Sequence, residues 1–240
     1  MRRFALILTL AIFASFLLGS TAYAGGTGLN TIWTPDVLEL GTFEWDLDLA
    51  VSDTEFAGGY FAEDGRFLAQ EFMATILPDF EIGFAFGGER EIGPFTMFAK
   101  YKIFDEFEDN FPVSLAVGLD NIIGTNDRYI SEVIPYIVIG KNFNRANGYL
   151  GFAHNASGLE DDNSLFAGFD YAWEEDWTIA VDYYGYLDNE EGIISGGLYY
   201  DWINHVGWGA WAEYDTASEN TIIVFEFAFT GRFDDLEAEV

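Results

Sequence analysis

From Phe43 to Leu49 the chain alternates without a break: Phe43, Trp45, Leu47 and Leu49 are bulky and apolar, and Glu44, Asp46 and Asp48 between them are acids. A β-strand turns successive side chains to opposite faces, so this stretch is a strand with one face of hydrocarbon and one of negative charge. Such a strand belongs to a sheet between two unlike solvents. The pattern recurs. Phe80, Ile82, Phe84 and Phe86 oppose Glu81, Gly83 and Ala85; Phe95, Met97, Ala99, Tyr101 and Ile103 oppose Thr96, Phe98, Lys100 and Lys102. Val113, Leu115, Val117 and Leu119 oppose Ser114, Ala116, Gly118 and Asp120. The second half continues with Leu165–Trp173 against Gly168 and Asp170, Trp177–Tyr183 against Asp182, and Ile194–Trp202 against Ser195, Gly197 and Asp201. Val206–Tyr214 against Gly207, Gly209 and Glu213, and Ile223–Phe229 against Glu226, complete the series.

With the less regular segments 67–77, 131–140 and 147–156, about twelve candidate strands of about nine to eleven residues result, the length a tilted strand needs to cross a bilayer. The count is even, as a single-chain bacterial barrel requires. Parity then sorts the connections. With both termini periplasmic, the inner turns are Pro78-Asp79, Asp105–Asn110, Lys141–Asn147, Glu174–Asp176 and Ile203–His205. The longer outer loops are Ser52–Arg66, Gly88–Pro94, Asn121–Ile130, Ser157–Ser164, Leu187–Gly192 and Asp215–Asn220. Short turns inside and long loops outside are the asymmetry of outer-membrane barrels.

Residues 1–24 stand apart from this pattern. Arg2 and Arg3, the apolar run Phe4–Leu18 and the small residues Ala22-Tyr23-Ala24 read as a secretory signal cleaved after Ala24. The run is shorter than the roughly 20 residues of a spanning helix. Residues 25–240 are then read as one barrel domain, and no later run is apolar enough to span as a helix.

Half of the chain is hydrophobic and 18% is aromatic, yet the formal net charge is −31. A disordered acidic chain would lack the aromatics. The acidity argues against nucleic acid as a partner and in favour of cations. Cysteine is absent, which removes disulfides, thiolate nucleophiles and Cys-based metal sites, and two histidines make no His-rich metal site. No cofactor motif is present; "GGTG" at 25–28 opens no helix.

A soluble exported β-barrel or sandwich also alternates, but its apolar face turns inward and must interdigitate large with small residues. Here one face is bulky nearly throughout, and the other is rich in Gly, Ala, Ser and single carboxylates. The expectation is an all-β, up-and-down antiparallel transmembrane β-barrel of about twelve strands, with the bulky face in lipid.

"LNTIWTPDVLELGTFEWDLDLAV", residues 29–51, resembles the start of small Gram-negative outer-membrane β-barrel proteins, where a Thr-Pro-x-x-Val-Leu-x-x-Gly segment leads into the first strand. "LPDFEIGF", residues 77–84, is similar to their next hairpin. The last strand, with Ile223, Phe225, Phe227 and Phe229, resembles the alternating aromatic signal read by the barrel assembly machinery, either internal to the chain or closing at Phe233. The resemblance implies a porin-like protein of the outer membrane of a Gram-negative bacterium, with membrane lipid, lipopolysaccharide and, during biogenesis, the assembly machinery as partners.

The lumen then receives Glu44, Asp46, Asp48, Glu81, Asp120, Asp170, Asp182, Asp201, Glu213 and Glu226, against Lys100 and Lys102. A wall of one sign in a confined space concentrates cations, so the expected function is a narrow passive pore for small solutes with cation preference. The inward Phe98, Phe166, Tyr184, Tyr199 and Trp211 leave open the alternative of a filled barrel that acts as a structural or partner-binding scaffold. Only about a dozen residues lie between Gly25 and the approach to the first strand near Val37 as a possible plug. An outer-membrane lipase reading rests on "AHNASG", residues 153–158, but a spacing of three places His154 and Ser157 on opposite faces of a strand. No catalytic residue is expected.

Overall fold

The computed structural model describes residues 29, 31–52, 66–86, 95–122, 133–155, 162–187, 191–203 and 205–233. The expected signal segment and its expected cleavage site at Ala24 lie outside these residues. Among the described residues are twelve strands: β1 (Thr42–Ser52), β2 (Arg66–Leu77), β3 (Phe80–Phe86), β4 (Phe95–Phe104), β5 (Ser114–Asp120) and β6 (Ile134–Asn142). They continue with β7 (Ala146–Asn155), β8 (Asp162–Ala172), β9 (Trp177–Tyr186), β10 (Gly192–Ile203), β11 (Val206–Asp215) and β12 (Asn220–Arg232). Each strand pairs antiparallel with its chain neighbours, and β1 pairs with β12 from Thr42↔Arg232 to Ser52↔Ile222. The barrel is closed, so no strand edge is left over.

The predicted strands are all present with several ends moved, and two connections change as a result. The β6–β7 connection is 143–145, shorter than the expected Lys141–Asn147, because Asn142 and Asn147 remain paired across the ladder and Asn142 Nδ2 donates to Asn147 Oδ1 at 2.7 Å. Strand β8 begins at Asp162, inside the expected loop, because His154↔Asn163 and Asn155↔Asp162 extend the β7–β8 ladder. The tight turns sit on residues that tolerate positive φ: Asp79 at 59°, Asn144 at 74° and His205 at 75°. Register shifts at Thr75/Leu77, Lys102/Phe104 and Asp201/Ile203 all lie beside short turns, at one rim of the barrel.

The sheet is inside-out. Phe225 is 46% exposed on the outer surface, whereas Phe166 is 1% exposed in the lumen. Leu49, Ile137, Ile139, Leu150, Phe169 and Phe227 are likewise exposed, while Glu44, Thr75, Glu81, Lys100 and Thr230 are buried. A barrel in water could not present that surface; one bathed in hydrocarbon requires it. This overturns the soluble alternative.

Aromatic rings gather on the outer face at the rim with the short turns. Trp177 packs on Tyr200 at 4.5 Å and edge-on to Trp208 at 5.7 Å, and Trp173 and Trp202 are each 56% exposed beside their turns. This is the placement of an interfacial girdle. The outward alternation of β12 passes Gly231 and closes at Phe233, whose ring lies 5.2 Å from that of Phe43.

The β4–β5 turn is held by its own carboxylates. Asp105 accepts from Lys102 Nζ at 2.9 Å and from the backbone N–H of Phe107 at 2.8 Å and of Glu108 at 3.2 Å. Glu106 accepts from Lys141 Nζ and, at 2.9 Å, from the backbone N–H of Asn142, tying this turn to the next. Burial alone would raise the Asp105 carboxyl, but its Lys102 and backbone donors outweigh that and hold it below its ordinary 3.8. The Asn142 amide and then Lys141 hold Glu106 below 4.5. A carboxyl lowered by folding stabilises the fold above its unfolded pKa, and that contribution is lost as pH falls through the lower folded value. The loss of chemical-denaturation midpoint caused by Glu106→Gln should therefore be full above about pH 5 and narrow as pH falls below it; a difference that does not change with pH would contradict this.

Candidate functional site

The lumen has two unlike walls. One is covered by the segment from Leu29 to Gly41, which runs inside the barrel before β1 starts. At the rim, the Gly41 N–H donates to the Thr75 carbonyl at 2.8 Å and the Phe233 N–H to the Gly41 carbonyl at 2.9 Å. Further in, the Leu38 N–H donates to Glu81 Oε2 at 3.1 Å, and Pro35 lies against Gly140. Trp33 then stacks on Tyr136, with centroids 4.3 Å apart and planes 8° from parallel, and meets Phe166 and Tyr184 edge-on at 5.3 and 6.0 Å. Ile32 and Leu29 cover Gly168, and the Thr31 hydroxyl and N–H donate to Asp182. Asp182 also accepts from Ser195 Oγ at 2.7 Å.

The bed of this segment explains the small inward residues of β5 to β8. Ala116, Val138, Tyr149, Ala153 and Phe166 form a buried cluster with Ile32, and Leu29, Trp33, Ile134 and Tyr184 pack against it. A Cβ on Gly168 would come within 2.5 Å of Ile32, and one on Gly140 within 2.6 Å of Pro35. The groove that admits the chain is thus made by missing side chains.

The other wall is acidic. In the ring of strands β1 stands opposite β7, so β12, β1, β2 and β3 face the inserted segment across the lumen. They carry Glu226, then Glu44, Asp46 and Asp48, then Glu71, then Glu81. A cavity of about 940 Å³ lies between, lined by Asp46, Asp48, Glu71, Glu81 and Glu226 and on the other side by Trp33, Thr34 and Asp36. Asp120, Asp170, Asp201 and His205 also line it.

All ten acids expected in the lumen occupy inward positions, but they fall into two groups. Some are tied to neighbours: Asp170 accepts from Tyr149 Oη at 2.7 Å and Asn147 Nδ2 at 2.9 Å, Glu213 from Trp211 Nε1 at 2.8 Å, Glu44 from Thr230 Oγ1 at 3.2 Å, and Asp182 holds Thr31 and Ser195. Asp120 accepts from the N–H of Asn121 at 2.6 Å. Glu81 forms an ion pair with Lys100 at 3.4 Å, and Lys102 turns to Asp105. Asp46 and Asp48, in contrast, stand against further acids: Asp46 is paired across the ladder with Glu71, and Asp48 with Glu226. Asp201 lines the cavity on β10.

Glu71 belongs to this wall and escapes a reading of the sequence, because its inward neighbours on β2 include Met73 and break the alternation. Its one signal is that the strand before it in the barrel places an acid opposite. Asp36 escapes because no strand carries it. His154 lies on the outward side of β7, with Nδ1 3.1 Å from Asn163 Oδ1, and is a rim residue; Ser157 falls outside the described residues. His205 is buried in the β10–β11 turn.

Structural comparison places this architecture among known barrels. The KdgM porin matches at a TM-score of 0.52 and 13% identity, over 78% of this chain and 98% of its own. The COG4313 outer membrane channel of Pseudomonas putida F1 matches at 0.53 and 10%, over 82% and 98%. The Acinetobacter baumannii outer membrane protein Omp33 matches at 0.51 and 9%, over 80% and 98%. The fold is that of a porin-like outer-membrane β-barrel. No family model and no curated protein matches the chain. A KdgM porin in complex with disordered oligogalacturonate aligns similarly, at 0.50 and 12%. The inserted segment enters the barrel from the rim with the short turns.

The stacking of Trp33 sets how firmly that segment is held. An aromatic pair adds about 0.5–1.5 kcal/mol beyond the area it buries, so Trp33→Ala should weaken docking by about 2 kcal/mol in all. The chain has no cysteine, so Thr34→Cys gives a single reporter at a buried position. Its labelling by a thiol reagent should accelerate at least about tenfold when Trp33→Ala is added; equal rates in the two backgrounds would contradict the role of Trp33.

Proposed function

We propose that this protein is a narrow passive pore of the outer membrane with a preference for cations. The supporting observation is the division of the lumen: the Leu29–Gly41 segment takes up the wall formed by β5 to β9, and the space that remains runs along the acidic wall of β12 to β3. A narrow path beside carboxylates in a low-dielectric barrel concentrates cations and repels anions. Lys100 and Lys102 do not reverse this, since the acids of the lumen outnumber them and each lysine is itself ion-paired to a carboxylate. An acidic oligosaccharide of the kind present in the KdgM complex is ill suited to such a wall. Membrane lipid and lipopolysaccharide surround the bulky outer face, and the strand that closes at Phe233 is the signal for barrel assembly.

A second reading, a non-conducting scaffold for a structural or binding role, is favoured by the tight packing of Trp33 between Tyr136, Phe166 and Tyr184. Planar-bilayer recording separates the two. In a KCl gradient the wild type should give small unitary currents whose reversal potential has the sign of K⁺ preference, and the Asp46→Asn, Glu71→Gln double variant should shift it toward zero. Anion preference would overturn the selectivity, and silence of both the wild type and a Trp33→Ala variant would leave the scaffold.

A further inference from the structure

Four carboxylates on three adjacent strands are brought together, and among the described residues none of them forms an ion pair. Asp46 lies directly across from Glu71, and Asp48, two residues on and therefore on the same face, lies directly across from Glu226. Directly opposed side chains on an antiparallel ladder have Cβ atoms about 5 Å apart, and like charges so placed repel. Asp46 is only 6% exposed and lines the cavity, yet no protein group among the described residues donates to its Oδ1. The Oδ1 of Asp48 is buried and also lacks a donor. The nearby lysines are engaged, Lys100 with Glu81 and Lys102 with Asp105. A cation from outside the chain would add the countercharge that no ion pair of the chain supplies to these four.

We propose that Asp46, Asp48, Glu71 and Glu226 bind a hydrated divalent cation in the lumen. The proposal rests on reading the same wall as cation-attracting but needs no conduction. A monovalent ion offsets one of four charges, and a divalent ion offsets two at a single place. Among the described residues no three side chains converge closely enough to coordinate a metal directly, so the ion is held through its water shell. Magnesium, which gives up its waters reluctantly, is the type of ion that suits this. The cavity of about 940 Å³ has room for the shell. This differs from the cysteine, histidine and EF-hand sites that the sequence lacks: the donors come from three strands, and only barrel closure brings Glu226 beside Asp48.

The test uses the full mature chain in detergent, with Tb³⁺ as the probe and Mg²⁺ as the competitor. Trp33 and Trp211 line the cavity, so excitation of tryptophan should sensitise Tb³⁺ emission from an ion bound there. The expected result is saturable emission in 0.1 M NaCl, displaced by Mg²⁺ but not by NaCl of equal ionic strength. Asp46→Asn and Glu226→Gln should each weaken binding tenfold or more, whereas Glu174→Gln, in an exposed turn, should not change it. Heat-modifiable gel mobility identifies folded variants, and Glu226→Gln stands alone if Asp46→Asn does not fold. Absence of saturable emission, displacement by NaCl, or an equal effect of Glu174→Gln would overturn the site. K⁺-selective currents without Tb³⁺ binding would refute the site and leave the pore, and binding in a silent barrel would do the reverse.

Discussion

The pairing of β1 with β12 is the constraint on which everything else depends. In hydrocarbon no water satisfies a free N–H or C=O, so a sheet can span only if its last strand returns to its first. Here the return runs unbroken from Thr42↔Arg232 to Ser52↔Ile222. Closure fixes the sidedness of every strand at once: a one-residue slip anywhere would exchange the faces, putting Asp46 in lipid and Trp45 in the lumen. The same seam joins the acids of β1 to Glu226, which is distant in sequence and adjacent in space. The charge distribution of the lumen is therefore a consequence of ring closure.

A closed ring of this size leaves an interior that side chains must fill or water must occupy. The barrel does both, on opposite sides. Glycine and alanine on β5 to β8 open a groove, and the Leu29–Gly41 segment fills it with Ile32, Trp33 and Pro35. On β12 to β2 carboxylates replace the small residues, and Asp46, Asp48, Glu71 and Glu226 line the open cavity instead. An apolar segment would have to bury those acids to lie there, at a cost that packing could not recover. The position of the segment is selected as much by the wall it avoids as by the one it touches.

Much of this is legible in the chain itself, for a definite reason. Alternation has a period of two and survives in the strands where lipid and lumen differ most, so β1, β3, β9 and β12 can be located to within a residue or two of their observed ends. Strand β2 is harder, because Met73 places an apolar side chain on the polar face, and with it Glu71 is lost. The two halves of the lumen are not legible at all. Each strand shows only that its inner residues are small or acidic, and the grouping of glycines on one side and acids on the other exists only once the strands are set in a ring. The path of the N-terminal segment is invisible for a related reason: its contacts with Tyr136, Asp182 and Glu81 are all distant in sequence and follow no period.

The inserted segment and the acidic lumen are also chemically linked. Two of its polar anchors are acids of the barrel: Leu38 donates a backbone N–H to Glu81, and Thr31 donates to Asp182. Backbone and hydroxyl dipoles thereby satisfy carboxylates on the borders of the covered wall, and Lys100 completes the shell of Glu81. Thr31, Trp33 and Leu38 carry no charge, and the segment's own acids, Asp36 and Glu39, add to the negative field, so docking satisfies donors and acceptors without neutralising the lumen. Glu39 meets Arg232 at 3.3 Å only at the exposed rim, where such a pair is worth about 1 kcal/mol or less. The segment takes up part of the lumen while leaving the sign of its charge unchanged, as the proposed cation-preferring pore requires.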